Sequence, residues 1–363
     1  MKKNWKQGLR IIWTIALKDI VDAIRSKTTL SIMIGVALTT LSGQALPWLL
    51  NINPTPIAAV YDAGDARLVD LLRRSEDVRA YKVRSQAELE SALTERADPA
   101  IGLVIPADFD TRLAAGNDIT LEGYAAHWIK EKDVAALQAA FEKEISDIAN
   151  QEIAIDMTTP RLYPAPDAAG HTVMVTMSFV ISTVLITIVL VPYLMIDEKE
   201  THTLDALLVS PASIGQVTVG KAIAGALYGL LGGSVALALS YTMIAHWWVA
   251  LLTVVCGTAV AVAVGLLMGS LFDNPQNMGV WMGAVMMLLL IPAFADMMSS
   301  ANWPAIVQAI LLHLPTALMS NLFRVSFTEV VPLGPALGKL ALILAWSVPF
   351  YAAVVWRIRR SDR

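Results

Sequence analysis

The chain has 363 residues, of which 56% are hydrophobic and 16% charged, with a mean hydropathy of +0.57. An ordinary soluble domain carries roughly 25% charge, so this composition is that of a membrane protein. The single cysteine, Cys256, excludes an intramolecular disulfide and any cysteine-cluster metal site; the net charge of −4 has meaning only once mapped along the chain.

Residues 1–27 open with Leu9, Trp13, Leu17, Ile20 and Ile24 at helical spacing, opposite Arg10, Lys18, Asp22 and Arg25. This pattern predicts an amphipathic helix lying along the inner membrane surface, its basic residues near anionic headgroups. Anchoring and docking to a partner both fit such a helix. Thr28 to Leu50 is the first uncharged run long enough to cross a bilayer, which takes about 20 apolar residues. Its apolar core exceeds the roughly 7–15 residues of a signal-peptide core, so it reads as an uncleaved anchor.

Residues 51–171 carry 12 basic and 21 acidic side chains, a net of −9, and read as a folded α/β domain. "IAAVYD", "IGLVIP" and "ITLEGYA" are candidate strands, rich in β-branched and apolar residues. Between them "ARLVDLLRRS" and "SQAELESALTER" have helical periodicity, the second opening with Ser85 and Glu88 at capping-box spacing. A longer amphipathic helix is expected from about 130 to 155. The aromatic cluster Tyr124, His127 and Trp128 reads as a strand end packing on the next helix, with ligand contact as the other reading.

Five further spans follow in residues 172–356: Thr172–Ile196, Ala222–Ala245, Val249–Phe272, Met278–Ala295 and Leu340–Trp356. His246, Trp247 and Trp248 mark a membrane interface. The stretch 304–323 is interrupted by His313 and Pro315 and reads as a broken external helix. After the second span, residues 197–210 form a short cytoplasmic helix in which Leu204, Leu207 and Leu208 share one face and Glu198, Lys199, Glu200 and Asp205 flank it, until Pro211 ends it.

Seven basic residues among the first 29, and four arginines in the last eight, "WRIRRSDR", put both termini in the cytoplasm by the positive-inside rule. The acidic 51–171 block then lies outside. The expected fold is an α-helical integral membrane protein of six transmembrane helices, one plus five, with an α/β extracytoplasmic domain between the first and second, and a basic tail at 357–363.

"GQVTVGKA", residues 215–222, nearly spells a phosphate-binding loop, with Gly215, Gly220 and Lys221 in place and Ala222 where a hydroxyl belongs. Such a loop must follow a strand in a soluble α/β domain and hold Mg²⁺ through that hydroxyl. Here it enters an apolar span, and the cytoplasmic segments are too short for an ATPase domain. ATP and Mg²⁺, if used, bind another subunit, and no cofactor is expected on this chain.

"ALKDIVDAIRSKTTL", "IGLVIPADFDTRLAAG" and "DEKETHTLDALLVSPASIGQVTVGK" resemble the permease subunit of ABC-2 type exporters, in the branch that includes NatB-like sodium-efflux permeases. The third segment is the most specific, matching the family pattern at Glu198, Lys199, Glu200, Thr203, Leu207, Leu208, Ser210, Pro211, Gly220 and Lys221. It departs at His202, where glycine is usual, and at Asp205, where glutamate is usual. The resemblance implies a half-transporter in a bacterial inner membrane: two permeases, identical or related, joined to two ABC ATP-binding subunits. It assigns ATPase coupling to Glu198, Lys199, Glu200, Thr203, Leu204, Leu207 and Leu208, and to Lys18, Asp19 and Arg25 of the N-terminal helix.

For a transport path the sequence offers Asp296, an acid at the end of a span, and the hydroxyls of Ser178, Ser182 and Thr187. Met282, Met286, Met287, Met297 and Met298 suit an adaptable apolar lining or ordinary packing. A path so poor in charge suits an amphipathic or hydrophobic compound better than a bare ion, although hydroxyls and carbonyls also coordinate cations. Two other classes compete: a membrane receptor or assembly factor with an external sensing domain, and a secondary transporter, which would show repeats and intramembrane ion sites. The partners expected are an ABC ATP-binding subunit, a second copy or a related permease, and the lipid bilayer, with no nucleic acid.

Overall fold

The computed structural model describes residues 5–25, 55–64, 66–96, 101–159, 161–200, 213–297 and 304–361, together with residues 27, 30, 31, 34, 35 and 38. The expected first span, 28–50, lies outside the described residues apart from those few positions, as do residues 201–210 of the expected cytoplasmic helix.

After helix α1 (Trp5–Arg25), the chain builds an α/β domain from β1 (Ile57–Asp62), α2 (Arg67–Leu72), β2 (Arg79–Val83), α3 (Gln86–Glu95), β3 (Ile101–Ile105), α4 (Phe109–Ala114), β4 (Ile119–Ala125), α5 (Glu131–Ala149) and β5 (Ile153–Asp156). The five strands are ordered β2-β1-β3-β4-β5. β1 runs parallel to β2 and β3, whereas β4 is antiparallel to β3 and parallel to β5. Helices cover both faces, so β1 is apolar from Ile57 to Val60. Ala58 and Val60 join Val69, Leu72, Phe141 and Ile145 on one side. Ala59 joins Leu89, Leu93 and Tyr124 on the other.

The domain differs from expectation in its two edge strands and in its long helix. Three strands were expected, and the structure adds β2 and β5, the two edges of the sheet. β2 is the five-residue "RAYKV" and β5 the four-residue "IAID", each too short and too interrupted by charge to stand out. The helix expected from 130 to 155 stops at Ala149, because Asn150 takes the left-handed conformation at φ 51°, a common helix terminator. That release lets Ile153 and Ile155 bury as strand residues. At α3 the Ser85 hydroxyl accepts from the Glu88 amide at 3.1 Å, and the Glu88 carboxylate accepts from the Arg84 amide at 2.8 Å.

The rest is a helical bundle: α6 (His171–Glu200), α7 (Ile214–Leu239), α8 (Trp247–Leu271), α9 (Pro275–Met297), α10 (Ala305–Leu312), α11 (Pro315–Val325) and α12 (Leu333–Ser361). Five stretches within it, His171–Ile196, Gly215–Leu239, Trp247–Leu271, Pro275–Ala295 and Leu333–Arg357, are long and apolar enough to cross a membrane, and α10 with α11 form a pair bent by 74° that adds a sixth if counted as one span. Twenty-five residues of helix reach about 37 Å, more than the roughly 30 Å of hydrocarbon. α6 and α8 are the core helices, with 72% and 78% of their most apolar stretch buried, against 22% for α9 and α12.

Two spans extend past their expected limits. α7 begins at Ile214, eight residues before Ala222, and finishes at Leu239, where Ser240 and a 3-10 turn at Tyr241–Met243 stop it. α12 begins at Leu333 and so contains Lys339. In both cases a lysine marked the expected boundary, and in both the structure carries that lysine inside the helix.

The α/β domain and α1 sit at opposite ends of the bundle. His127 of the domain donates from Nε2 to the Met243 carbonyl between α7 and α8, at 2.8 Å, and stacks on Tyr163 with centroids 4.4 Å apart. Trp128 packs edge-on to His127 at 5.2 Å and faces His171, the first residue of α6, at 6.3 Å. Lys130 lies over the Tyr241 ring at 5.2 Å. His127 and Trp128 therefore form the joint between domain and bundle. Tyr124 is a packing residue whose hydroxyl donates to Glu122 at 2.7 Å; that bond, with burial, pushes its pKa up to about 12. Gly170, at φ +65°, leads into α6 with the Glu95 carbonyl filling the place of a side chain, so no other residue fits there without strain.

Candidate coupling site at the far end of the bundle

The end away from the domain is built by α1, the first half of α7 and the last turns of α6. α7 starts with a full capping box: the Ser213 hydroxyl accepts from the Gln216 amide at 3.4 Å, and the Gln216 side chain accepts from the Ser213 amide at 2.9 Å. "GQVTVGKA" is thus two turns of α-helix. From Gln216 onward its amides are committed to the cap and the helix ladder, so the segment does not wrap a phosphate as a glycine-rich loop does.

α1 packs along α7 through Gly8, Ile12, Ile15, Ala16, Asp19 and Ile20, which recur every three or four residues. Gly8 lies beside Gln216, and a side chain at Gly220 would meet Ile15 at 2.7 Å. Tyr228 donates to the Ile20 carbonyl at 2.7 Å, and Ile20 packs against Ile186, Leu190, Leu194, Ala224 and Tyr228 of α6 and α7. Of the five residues on the apolar face, Ile20 packs on the bundle, whereas Leu9, Trp13, Leu17 and Ile24 remain exposed. The bundle takes up a ridge of small and β-branched residues, leaving the large apolar face to its surroundings.

At the centre of this junction Lys221 donates from Nζ to Asp19 Oδ2 at 3.3 Å and to the Leu194 carbonyl at 2.9 Å. Both side chains are buried, Lys221 at 1% and Asp19 at 3% exposure. At this separation the attraction is about 5 kcal/mol for an effective dielectric near 20, and desolvation of two ions offsets most of it. The pair adds little net stability but fixes geometry, because either charge alone in that core costs several kcal/mol. One lysine thereby ties α1 to α7 and to α6.

The expected coupling residues that the structure describes fall around this junction. Asp19 is the buried anion of the pair. Lys18 and Arg25 are exposed, Lys18 facing Asp22 at 4.0 Å, a surface pair worth well under about 1 kcal/mol. Glu198, Lys199 and Glu200 were expected in a helix separate from the second span, yet α6 runs unbroken through Glu200. Their helix therefore continues directly from Leu194, whose carbonyl Lys221 holds. Thr203, Leu204, Leu207 and Leu208 lie outside the described residues.

Of the expected path residues, Ser182 and Thr187 are buried in α6 and donate to the carbonyls of Ser178 and Thr183, at 2.6 and 3.0 Å. A side chain at Gly229 of α7 would collide with the Thr187 and Thr258 side chains, so these hydroxyls lie in close helix packing. Asp296 belongs to the last turn of α9. No group of three or more potential metal-ligating side chains occurs among the described residues. The buried pair that sequence reasoning missed, Asp19 with Lys221, had one signal: a lysine directly adjoining an apolar span, where an ionisable residue is a functional candidate by default.

The family model described as "ABC-2 family transporter protein" matches residues 27–357 of the chain. Comparison with curated proteins gives no match.

Proposed function

The chain belongs to the ABC-2 transporter family, and from that premise we propose that it is the membrane-spanning permease of an ATP-driven exporter, powered by a separate ABC ATP-binding subunit that holds the ATP and Mg²⁺. The observation that carries this reading is the buried Lys221, which joins α1, α7 and the end of α6 at the pole opposite the α/β domain. Alternating access needs a bundle with two states whose balance a partner biases through differential contacts. A partner pressing on α1 or on residues 198–208 acts on a junction that links two bundle helices rigidly, so its movement reaches the spans.

In this reading two copies, or one copy and a related permease, assemble in a bacterial inner membrane with both termini and the junction in the cytoplasm and the α/β domain outside. Glu198, Lys199, Glu200, Thr203, Leu204, Leu207 and Leu208 form the lever against the ATPase, and the exposed Lys18 and Arg25 supply charge for its register. The cargo is an amphipathic compound rather than a bare ion, because the spans bury few charges. Co-expression with the ATP-binding subunit tests the reading. The wild-type chain is expected to co-purify with that subunit and raise its ATP turnover, and a Leu204→Ser, Leu207→Ser, Leu208→Ser variant to lose both. Normal stimulation by the triple variant overturns the lever.

A further inference from the structure

We propose that the cleft between α7, α8 and α12 binds a neutral lipophile carrying one hydroxyl or carbonyl group, which enters sideways from the bilayer. α7 and α12 each pack on α8, and a cavity of about 300 Å³ is left between them, at the lower end of the roughly 300–1,000 Å³ usual for small-molecule sites. α8 supplies the floor through the buried Thr258 and Val262, with Ala259 beside them. α7 lines one wall from Val219 to Leu230, about 16 Å along its axis, and Tyr351 of α12 closes the other. Val219 and Val255 are exposed at the rim, so the opening faces lipid.

The cleft's polar side-chain groups are two hydroxyls. Tyr351 donates to the Ala259 carbonyl at 3.3 Å, a carbonyl within the α8 helix ladder, and its oxygen keeps lone pairs for a second partner. Thr258 is 2% exposed, and its hydroxyl is buried with no hydrogen-bond partner among the described residues. A buried hydroxyl in that state is destabilising. Threonine in a helix has two χ1 wells, so the oxygen can swing toward a ligand that supplies the missing partner.

Depth and charge define the ligand. Thr258 lies eleven residues after Trp247, the first residue of α8, about 16 Å along the axis and so midway through roughly 30 Å of hydrocarbon. Among the described residues no charged side chain lines the cleft, and an ion carried to this depth would find no partner. The acyl tail of a phospholipid reaches the same depth but brings no polar atom to the two hydroxyls. A mostly apolar molecule with one neutral polar group satisfies both conditions.

The test uses the full-length chain in phosphatidylcholine nanodiscs, photolabelled with a diazirine-bearing analogue of dodecanol and mapped by peptide mass spectrometry. Label is expected on the cleft residues of α7, α8 and α12. Dodecanol should displace it about tenfold more effectively than dodecane or dodecanoate does. The double variant Thr258→Val, Tyr351→Phe keeps the shape of the cleft without its hydroxyls, and should lose the preference for dodecanol over dodecane. Label spread evenly over all lipid-facing helices overturns the proposal. So does equal displacement by dodecane in the wild-type chain, which identifies a groove for any acyl tail, or by dodecanoate, which identifies a site indifferent to charge. A preference unchanged in the double variant overturns it as well. None of these outcomes bears on ATPase coupling, so the site and the exporter reading fail independently.

Discussion

Asp19 and Lys221, 202 positions apart in the chain, meet 3.3 Å apart in a buried ion pair. Its partners come from an amphipathic helix and from a membrane-spanning one, and a third helix contributes the Leu194 carbonyl. Neither helix alone can bury its charge. The pair therefore makes docking of α1 conditional on correct register, a specificity role that buried ionic groups fill in some other systems.

Removing one partner exposes that dependence. Asp19→Leu or Lys221→Met is expected to destabilise the purified chain by about 3–5 kcal/mol, because the remaining charge stays buried. The double replacement Asp19→Leu, Lys221→Met should recover most of the loss. Thermal unfolding of the four proteins in one detergent gives the cycle, and additive losses would show that the two residues do not interact.

Close approach of α1 to α7 depends on Gly220, where an added Cβ meets Ile15 at 2.7 Å. Gly220→Ala is expected to cost about 1–3 kcal/mol as an overpacking substitution. Gly279→Ala and Gly283→Ala meet nothing within 4 Å and should leave stability unchanged or raise it by up to about 1 kcal/mol through helix propensity. A reversed order in unfolding temperature would contradict the packing.

The joint at the other end responds to pH. Burial lowers the pKa of His127 from its ordinary 6.5, and its Nδ1 is buried with no hydrogen-bond partner among the described residues. Tyr163, Trp128 and the Met243 and Leu162 carbonyls surround it. Because the folded value is depressed, the unfolded chain binds the extra proton first, and stability falls as pH drops from 6.5 toward the folded pKa. His127→Gln, which keeps a donor for the Met243 carbonyl, should flatten the fall in unfolding temperature between pH 7.5 and 5. An equal fall in both proteins would remove His127 as its source.

Much of this fold can be read in the sequence because long apolar runs need no partner to be recognised. The limits lie where distant residues decide. Lys221 looks like a membrane boundary until Asp19 neutralises it from 202 positions away. On α1 the large apolar residues Leu9, Trp13 and Leu17 stay exposed, and the side that packs on the bundle, Ile15, Ala16 and Asp19, carries no pattern that marks it in the sequence. In a bilayer the surroundings are as apolar as the core, so hydrophobicity does not tell inside from outside and small residues mark the packed side. In the sheet, β1 and β3 stand out as central apolar strands, while β2 and β5 alternate with charge at the edges.

Opposite placement of domain and junction predicts opposite exposure across the membrane. In a Cys256→Ser background, Arg74→Cys in the domain should react in intact cells with a membrane-impermeant maleimide. Arg25→Cys should react only after permeabilisation. Both parent residues are exposed, so equal labelling of the two would contradict the topology.

The central claim is that the α1 junction faces the ATP-hydrolysing partner. Photocrosslinking in the assembled complex tests it most directly, with a photoreactive residue at position 18, 25 or 74. The account predicts that the ATP-binding subunit is captured from positions 18 and 25 and not from 74. Capture from 74, or none from 18 and 25, would contradict it.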